Sequence, residues 1–318
     1  MLQINFFTQE QELQITRYKE KWQQIALSCD PIDPELATVA VQDTYKVMGK
    51  RKPNVEICSS PLDAVHKINS RVPEAQTTKN TPINQMTLQK WAILAAKTLL
   101  VGNKVRKDQR NHPLNKLVVK LSSPGSTFLE QKINSLIPQD MSIEEKVESL
   151  YQTIQSNFQT TDRQVKLPDR NIFKPKVILD TLINNDLPYR ATSQLYDDFW
   201  KQSDRKIESF LSQQDASWVF STTPVYKNQS LACTASWLDF CFSTLKLSYS
   251  EKQWQAFQNI VRECGWIFTY DKVCYVCDRL NRLIFDDNNI SYSETEAVIQ
   301  FTDGFQIWNE RNTTSGEA

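Results

Sequence analysis

Apolar residues recur at helical spacing along most of this chain and switch to alternation near its end. Ile15, Tyr18, Trp22 and Ile25 share one helical face, and Thr8 followed three residues later by Gln11 has the form of a capping box at the start of that helix. A second helix opens at Asp33-Pro34, carries Leu36, Val39, Ala40 and Val47 as one apolar stripe, and stops at Gly49. Ser60-Pro61 repeats the same start for a shorter helix with Leu62, Val65 and Ile68 on its inner face. Residues 71–82 are rich in Pro, Gln and Thr without an apolar period, which predicts a connecting loop and a possible domain boundary.

Helical spacing returns over 84–101 through Leu88, Trp91, Leu94 and Leu99 and closes at Gly102-Asn103. Leu114 to Leu121 reads as a strand, and Ser122-Ser-Pro-Gly-Ser126 as the turn from it into another helix. Further helical segments are expected near 142–158, 175–185, 192–212, 231–247 and 251–264. After Gly265 the period changes. Lys272-Val-Cys-Tyr-Val-Cys-Asp278 is β-branched and aromatic, and the run from Ala297 to Trp308 alternates around Asp303-Gly304, a strong hairpin signal. The pattern therefore predicts an α+β chain: a mainly helical region over 1–265, a β-hairpin-rich segment over 266–308 packed on it, and a frayed polar tail over 309–318.

Composition turns this pattern into a folding protein. Apolar residues make up 40% and charged residues 23%, with eight tryptophans and fifteen phenylalanines, so the aromatic material for a core is present. Lysine plus arginine number 37 and aspartate plus glutamate 37, so the whole molecule offers no field that would draw in polyanions or an acidic membrane. The N-terminal residues lack the basic and apolar regions of a signal peptide, and the apolar stretch Trp91 to Ala96 is far short of the roughly 20 residues of a membrane helix. Seven cysteines, an odd number without a dense framework, fit free thiols in a reducing compartment. Those features predict a cytoplasmic protein with no membrane contact.

Cysteine carries the strongest candidate chemistry. Cys264, Cys274 and Cys277 lie close in sequence, with Cys233 and Cys241 upstream. A Cys-x-x-Cys pair grips zinc where the chain bends both sulfurs inward, and structural zinc takes four Cys or His ligands. In an extended strand, residues three apart face opposite sides, so Cys274 and Cys277 diverge unless a bulge intervenes. The only histidines are His66, at the flank of a short helix, and His112, before Pro113 in an expected loop. The thiols therefore read as buried and structural, and no metal or cofactor is assigned; a bulge would reopen zinc, with Cys264 as the next ligand.

A basic stretch is the second candidate. Lys97, Lys104, Arg106, Lys107, Arg110, Lys116 and Lys120 are interrupted only by the acid Asp108, and Lys104, Arg106, Lys107 and Arg110 form its centre. Clustered cations contact phosphates by releasing counterions, yet no recognition-helix or RNA-binding signature accompanies them, and the preferred reading is a solvated loop and helix end. Other templates fail: there is no Gly-x-Ser-x-Gly, no His-Glu-x-x-His and no Walker loop, and six glycines leave little for phosphate cradles. The pairs Asp197-Asp198, Asp286-Asp287 and Glu144-Glu145 are adjacent, so their carboxylates diverge on either element type.

Several of these segments together resemble a bacterial, notably cyanobacterial, domain family of unknown function that is sometimes found beside leucine-rich repeats. The likeness runs through Trp22, Asp30-Pro-Ile-Asp33, Tyr45-Lys-Val-Met-Gly49 and Ser60-Pro61, and resumes at Trp237-Leu-Asp-Phe-Cys-Phe242, Glu263-Cys-Gly-Trp-Ile-Phe268, Val273 to Arg279 and Ile299 to Phe305. The chain departs from the family at Tyr292, Thr295 and Ala297, where a His, a Gly and a Pro are usual, and at Asn309-Glu310 in place of a His-Gly step. It reads as a shortened or diverged member, and the resemblance implies a fold and no catalytic residue. The function expected is a non-enzymatic binding or scaffolding module with a protein partner rather than nucleic acid. The alternative is an enzyme whose site is assembled from residues distant in sequence.

Overall fold

The computed structural model describes residues 7–71, 112–136, 145, 201–212, 219–220, 223–270, 272–286, 289–290 and 299–308. The expected loop beyond Arg71, the helices at 84–101, 175–185 and, apart from Glu145, 142–158, the pair Asp197-Asp198, residues Tyr292, Thr295 and Ala297, and the tail after Trp308 lie outside the described residues. The helices are α1 (Gln9–Leu27), α2 (Pro34–Val47), α3 (Pro61–Arg71), α4 (Pro113–Leu136), α5 (Lys201–Leu211), α6 (Asn228–Ser243) and α7 (Glu251–Glu263). Among the strands, β1 (Asn54–Cys58), β2 (Val225–Tyr226), β3 (Ile267–Thr269) and β4 (Val273–Cys277) form one sheet. The short strands β5 (Arg282–Leu283), β8 (Ile299–Gln300) and β9 (Gln306–Ile307) form a second, and β6 (Phe285–Asp286) pairs with β7 (Asn289–Ile290). The architecture is α+β, with a helical body and hairpins toward the C-terminus.

Local chemistry sets the helix ends. Thr8 and Gln11 make a reciprocal capping box: the Gln11 backbone N–H donates to Thr8 Oγ1 at 3.2 Å, and the Thr8 N–H to Gln11 Oε1 at 3.0 Å. Asp33 caps α2 by accepting from the N–H groups of Glu35 and Leu36 at 2.8 and 3.0 Å, with Pro34 at the first position. At the far end Gly49 has φ +67°, and N–H bonds from Gly49 to Lys46 O and from Lys50 to Tyr45 O close a Schellman turn. Ser60 caps α3 through Asp63 N–H at 3.1 Å. It also donates to Asp303 Oδ2 at 2.5 Å, tying α3 to the turn between β8 and β9. That turn passes through Asp303 and Gly304, whose φ is +85°, as the alternation around them predicts.

Two expectations are corrected. Leu114 to Leu121 is the first part of helix α4 and no strand, and Ser122 to Ser126 continues that helix through Pro124. Leu114, Leu117 and Leu121 are buried at i, i+3 and i+7, a helical period, while Val119 between them is exposed. The stripe expected on α2 is also displaced: Ala37, Ala40, Val41, Thr44 and Tyr45 face inward, and Leu36 and Val39 face solvent. α2 packs along α7, where Trp254, Ala256, Phe257, Ile260 and Val261 are buried.

The described chain divides into two compact units, one from Met1–Gln24, Val119–Gln194 and Cys233–Ser250, the other from Ile25–Val118, Leu195–Ala232 and Glu251–Ala318. In the first, Trp22 and Phe240 are buried, with Phe7 edge-on to Phe240 at 5.2 Å and Trp237 beside it at 5.7 Å. The buried Asp239 carboxylate accepts from Trp22 Nε1 at 3.0 Å, Lys21 Nζ at 2.7 Å and Ser243 Oγ at 3.0 Å. Removing that carboxylate leaves the indole N–H without its acceptor inside an aromatic core.

In the second unit the sheet order is β1-β4-β3-β2, with β1 parallel to β4 and the other pairs antiparallel. Tyr275 and Cys277 of β4, Cys58 of β1 and Phe268 of β3 share the face that packs on Val65 and Ile68 of α3, Ile207 and Leu211 of α5, and Phe301 and Phe305 of the hairpin. Cys274 and Val276 point to the opposite face, as two-residue alternation requires. Just before β3, Gly265 donates its N–H to Cys277 O at 3.2 Å, and a Cβ at this position would fall 2.5 Å from that oxygen and 2.7 Å from Asp278 O. Only glycine fits between these carbonyls. Gly265→Ala is expected to destabilise the protein by about 3 kcal/mol, because backbone must move. Gly49→Ala, with nothing within 4 Å of the added carbon, is expected to cost only about 1 kcal/mol of left-handed strain. Urea unfolding of both variants checks this, and equal mildness would contradict the close approach.

Candidate functional site

Lys104, Arg106, Lys107 and Arg110 lie outside the described residues, as does Lys97; of the basic stretch only Lys116, half-buried, and Lys120, exposed, are placed, both on α4. The cysteine candidates are placed and do not converge. Cys277 lies in the sheet face packed on α3, while the Cys274 sulfur turns to the other face and meets Tyr45 Oη at 3.3 Å. Cys264 is buried with its thiol 3.9 Å from Ala37 O, Cys241 is buried and Cys233 half-buried. Burial pushes the thiols of Cys264, Cys277 and Cys241 above their ordinary range. Among the described residues no group of three His, Cys, Asp or Glu is placed to hold a metal ion. His66 is exposed on α3.

The convergent polar set is one that the sequence did not reveal. His112 is no plain loop residue. It is the N-cap of α4, its carbonyl accepting from Lys116 N–H at 3.0 Å and its Nδ1 from Leu114 N–H at 3.2 Å, with Pro113 at the first helical position. Because a backbone N–H donates to Nδ1, that nitrogen is an acceptor and the proton sits on Nε2. Nε2 is 2.7 Å from Tyr45 Oη on α2, and Tyr45 Oη is in turn within hydrogen-bond reach of Cys274 Sγ on β4. Tyr226 on β2 completes the group, its hydroxyl 3.3 Å from His112 Nδ1 and its oxygen accepting from Asn115 N–H. Four residues from four distant parts of the chain thus form one hydrogen-bonded run inside the second unit.

Electrostatics fixes what this run can do. Burial holds the His112 imidazole down to about 4, so it is neutral at physiological pH. Burial pushes the Cys274 thiol up to about 11, with the Tyr45 hydrogen bond working against it, and pushes the Tyr226 phenol up as well. A thiol serves as nucleophile through its thiolate, and no cation of the kind that stabilises a thiolate appears among the partners of Cys274. His112 reaches Cys274 only by way of Tyr45. The arrangement therefore positions elements, locking the first turn of α4 to α2 and to the sheet. A His-Pro step read as Ncap-N1 was the available signal, obscured because His is a rare cap.

The second feature is apolar and open. On the outer face of α2, Leu36 and Val39 are 51% and 50% exposed, one helical turn apart, with Glu35 and Lys46 exposed on the same side. Among the described residues no helix is long and apolar enough to cross a membrane. No family model, no curated protein and no solved structure matches the chain.

The half-buried imidazole gives acid sensitivity a sign. The unfolded chain titrates His112 near 6.5 and the folded chain near about 4, so the unfolded state takes up the proton first. Above about pH 6.5 His112 makes no difference; between about 6.5 and 4 it removes stability as pH falls, by an upper limit of about 3 kcal/mol. His112→Asn, which keeps a capping acceptor, is expected to be somewhat less stable at pH 7 and to lose this part of the slope. Urea midpoints of both proteins across that range, compared as a difference, provide the measurement. Parallel profiles would show that His112 is not buried neutral.

Proposed function

We propose that this chain is a non-enzymatic binding or scaffolding module that acts in the cytoplasm on a protein partner, and that the outer face of α2 is its contact surface. One observation carries this reading: α2 buries Ala37, Ala40, Val41, Thr44 and Tyr45 and still leaves two branched apolar residues, Leu36 and Val39, to solvent. Burying a leucine and a valine that folding leaves exposed is favourable by on the order of 1–3 kcal/mol per side chain. Apolar anchors a turn apart, rimmed by Glu35 and Lys46, match the pattern by which one helix face engages another protein.

The closed state of the chemistry supports the same reading. Of the titratable residues that converge, Tyr45 and Cys274 are buried and His112 and Tyr226 half-buried, all neutral at physiological pH and bonded to one another, whereas a catalytic acid or base is poised near the working pH in reach of substrate. Five buried free thiols, Cys58, Cys241, Cys264, Cys274 and Cys277, favour a reducing compartment. Equal numbers of acidic and basic residues favour a protein partner over nucleic acid. The resemblance to a bacterial domain family of unknown function is compatible with this role and adds no activity. The alternative enzyme would draw on His112, Tyr45, Tyr226 and Cys274, whose spread through the chain is the kind that reading required.

Leu36→Asp with Val39→Asp provides the test, since both side chains are exposed and the fold is expected to stay within about 1 kcal/mol of wild type. The wild-type chain, carrying a photo-crosslinker at Glu35 in cells of its source, is expected to capture a defined partner that the double variant loses. Unchanged capture by the double variant would remove α2 as the contact surface. Substrate turnover abolished by His112→Asn would favour the enzyme.

A further inference from the structure

Two buried side-chain atoms among the described residues have no hydrogen-bond partner: Gln229 Oε1 and Arg279 Nε. Both residues line one crevice of the second unit. Its walls come from Ser28 after α1, the first turn of α6 at Gln229, the close approach at Gly265, and Arg279 after β4, with Trp266 and Phe301 as apolar floor. Gln229 is 4% exposed, so bulk water does not serve its amide oxygen.

The two orphans have opposite polarity. An amide oxygen only accepts, and a guanidinium Nε only donates. The charged groups nearby are already engaged: Asp278 Oδ1 accepts from Ile32 N–H at 2.9 Å and from Arg279 N–H at 2.8 Å, and Arg279 Nη1 lies 3.4 Å from Ser28 Oγ and from Asp30 O. An anion would suit Arg279 and be opposed by Gln229 Oε1 and Asp278. A cation would suit those two and be opposed by Arg279. An apolar guest would leave both orphans bare. What answers both is a neutral oxygen that donates one hydrogen bond and accepts another, and the free space admits about one water.

We propose that this crevice is a hydration site holding a single buried water, which donates to Gln229 Oε1 and accepts from Arg279 Nε. The water pins the first turn of α6 to the segment after β4, which itself holds the Ser28 to Ile32 loop through Arg279 and Asp278. It stands apart from the α2 surface and from the His112 run, so its fate does not depend on the proposed function. The coincidence that carries it is that the two residues with unpartnered buried atoms, Gln229 and Arg279, line one crevice with room for about one water.

A crystal structure of the full chain, grown without polyols and resolved well enough to place waters, tests it. The expected result is one water within about 2.7–3.2 Å of both atoms. Nuclear Overhauser effects from a long-lived water to the Gln229 side-chain amide are expected in solution, and their loss in Gln229→Leu. An empty crevice, an ion or organic molecule in it, or a water bonded to neither atom would overturn the proposal. The wild-type structure decides by itself even where Gln229→Leu fails to fold.

Discussion

The second unit is organised around one five-residue strand. β4 is flanked on one edge by β1 and on the other by β3, and it has buried side chains on both faces. Its end is held by three backbone bonds: Gly265 N–H bonds to Cys277 O, Cys277 N–H to Trp266 O at 2.8 Å, and Asp278 N–H to Cys58 O at 2.7 Å. The Asp278 side chain then fixes Ile32 ahead of α2. Sequence positions more than two hundred residues apart are paired in parallel at this strand, Asn54 to Cys58 with Val273 to Cys277. Such pairing stabilises only after a long loop has closed, so its formation is expected late in folding.

Alternation along β4 distributes chemistry to opposite sides. Tyr275 and Cys277 join the aromatic core with Phe268, Phe301 and Phe305, while Cys274 reaches Tyr45 and through it His112. The separation explains why a Cys-x-x-Cys spacing here yields two unrelated thiols. It also places the polar run where it joins α2, α4 and the sheet.

Much of the local structure was legible because its causes are local. The Thr8 and Gln11 box, the Asp33-Pro34 start, the Gly49 stop and the Asp303-Gly304 turn each depend on residues within a few positions of one another. The buried face of α2 was not legible, because apolar residues lie on both sides of that helix. Hydrophobicity favours Leu36 and Val39, whereas packing against α7 selects Ala37 and Ala40 for their small size. Leu-Val-Val in 117–119 suggested a strand, although the spacing of Leu114, Leu117 and Leu121 already carried the helical period. β1 was missed because Asn-Val-Glu-Ile-Cys is short and gains its place only from a partner far along the chain. The His112, Tyr45, Tyr226 and Cys274 run was hidden for the same reason, since nothing near any one of them names the other three.

If β4 is the strand on which this unit depends, its amides open only when the whole unit unfolds. Native-state hydrogen exchange measures this directly. The backbone amides of Tyr275, Val276 and Cys277 are expected to exchange slowest, with an opening free energy equal to that of global unfolding and the same dependence on denaturant. β4 amides that exchange through local opening, while α2 and α7 remain protected, would contradict that central place.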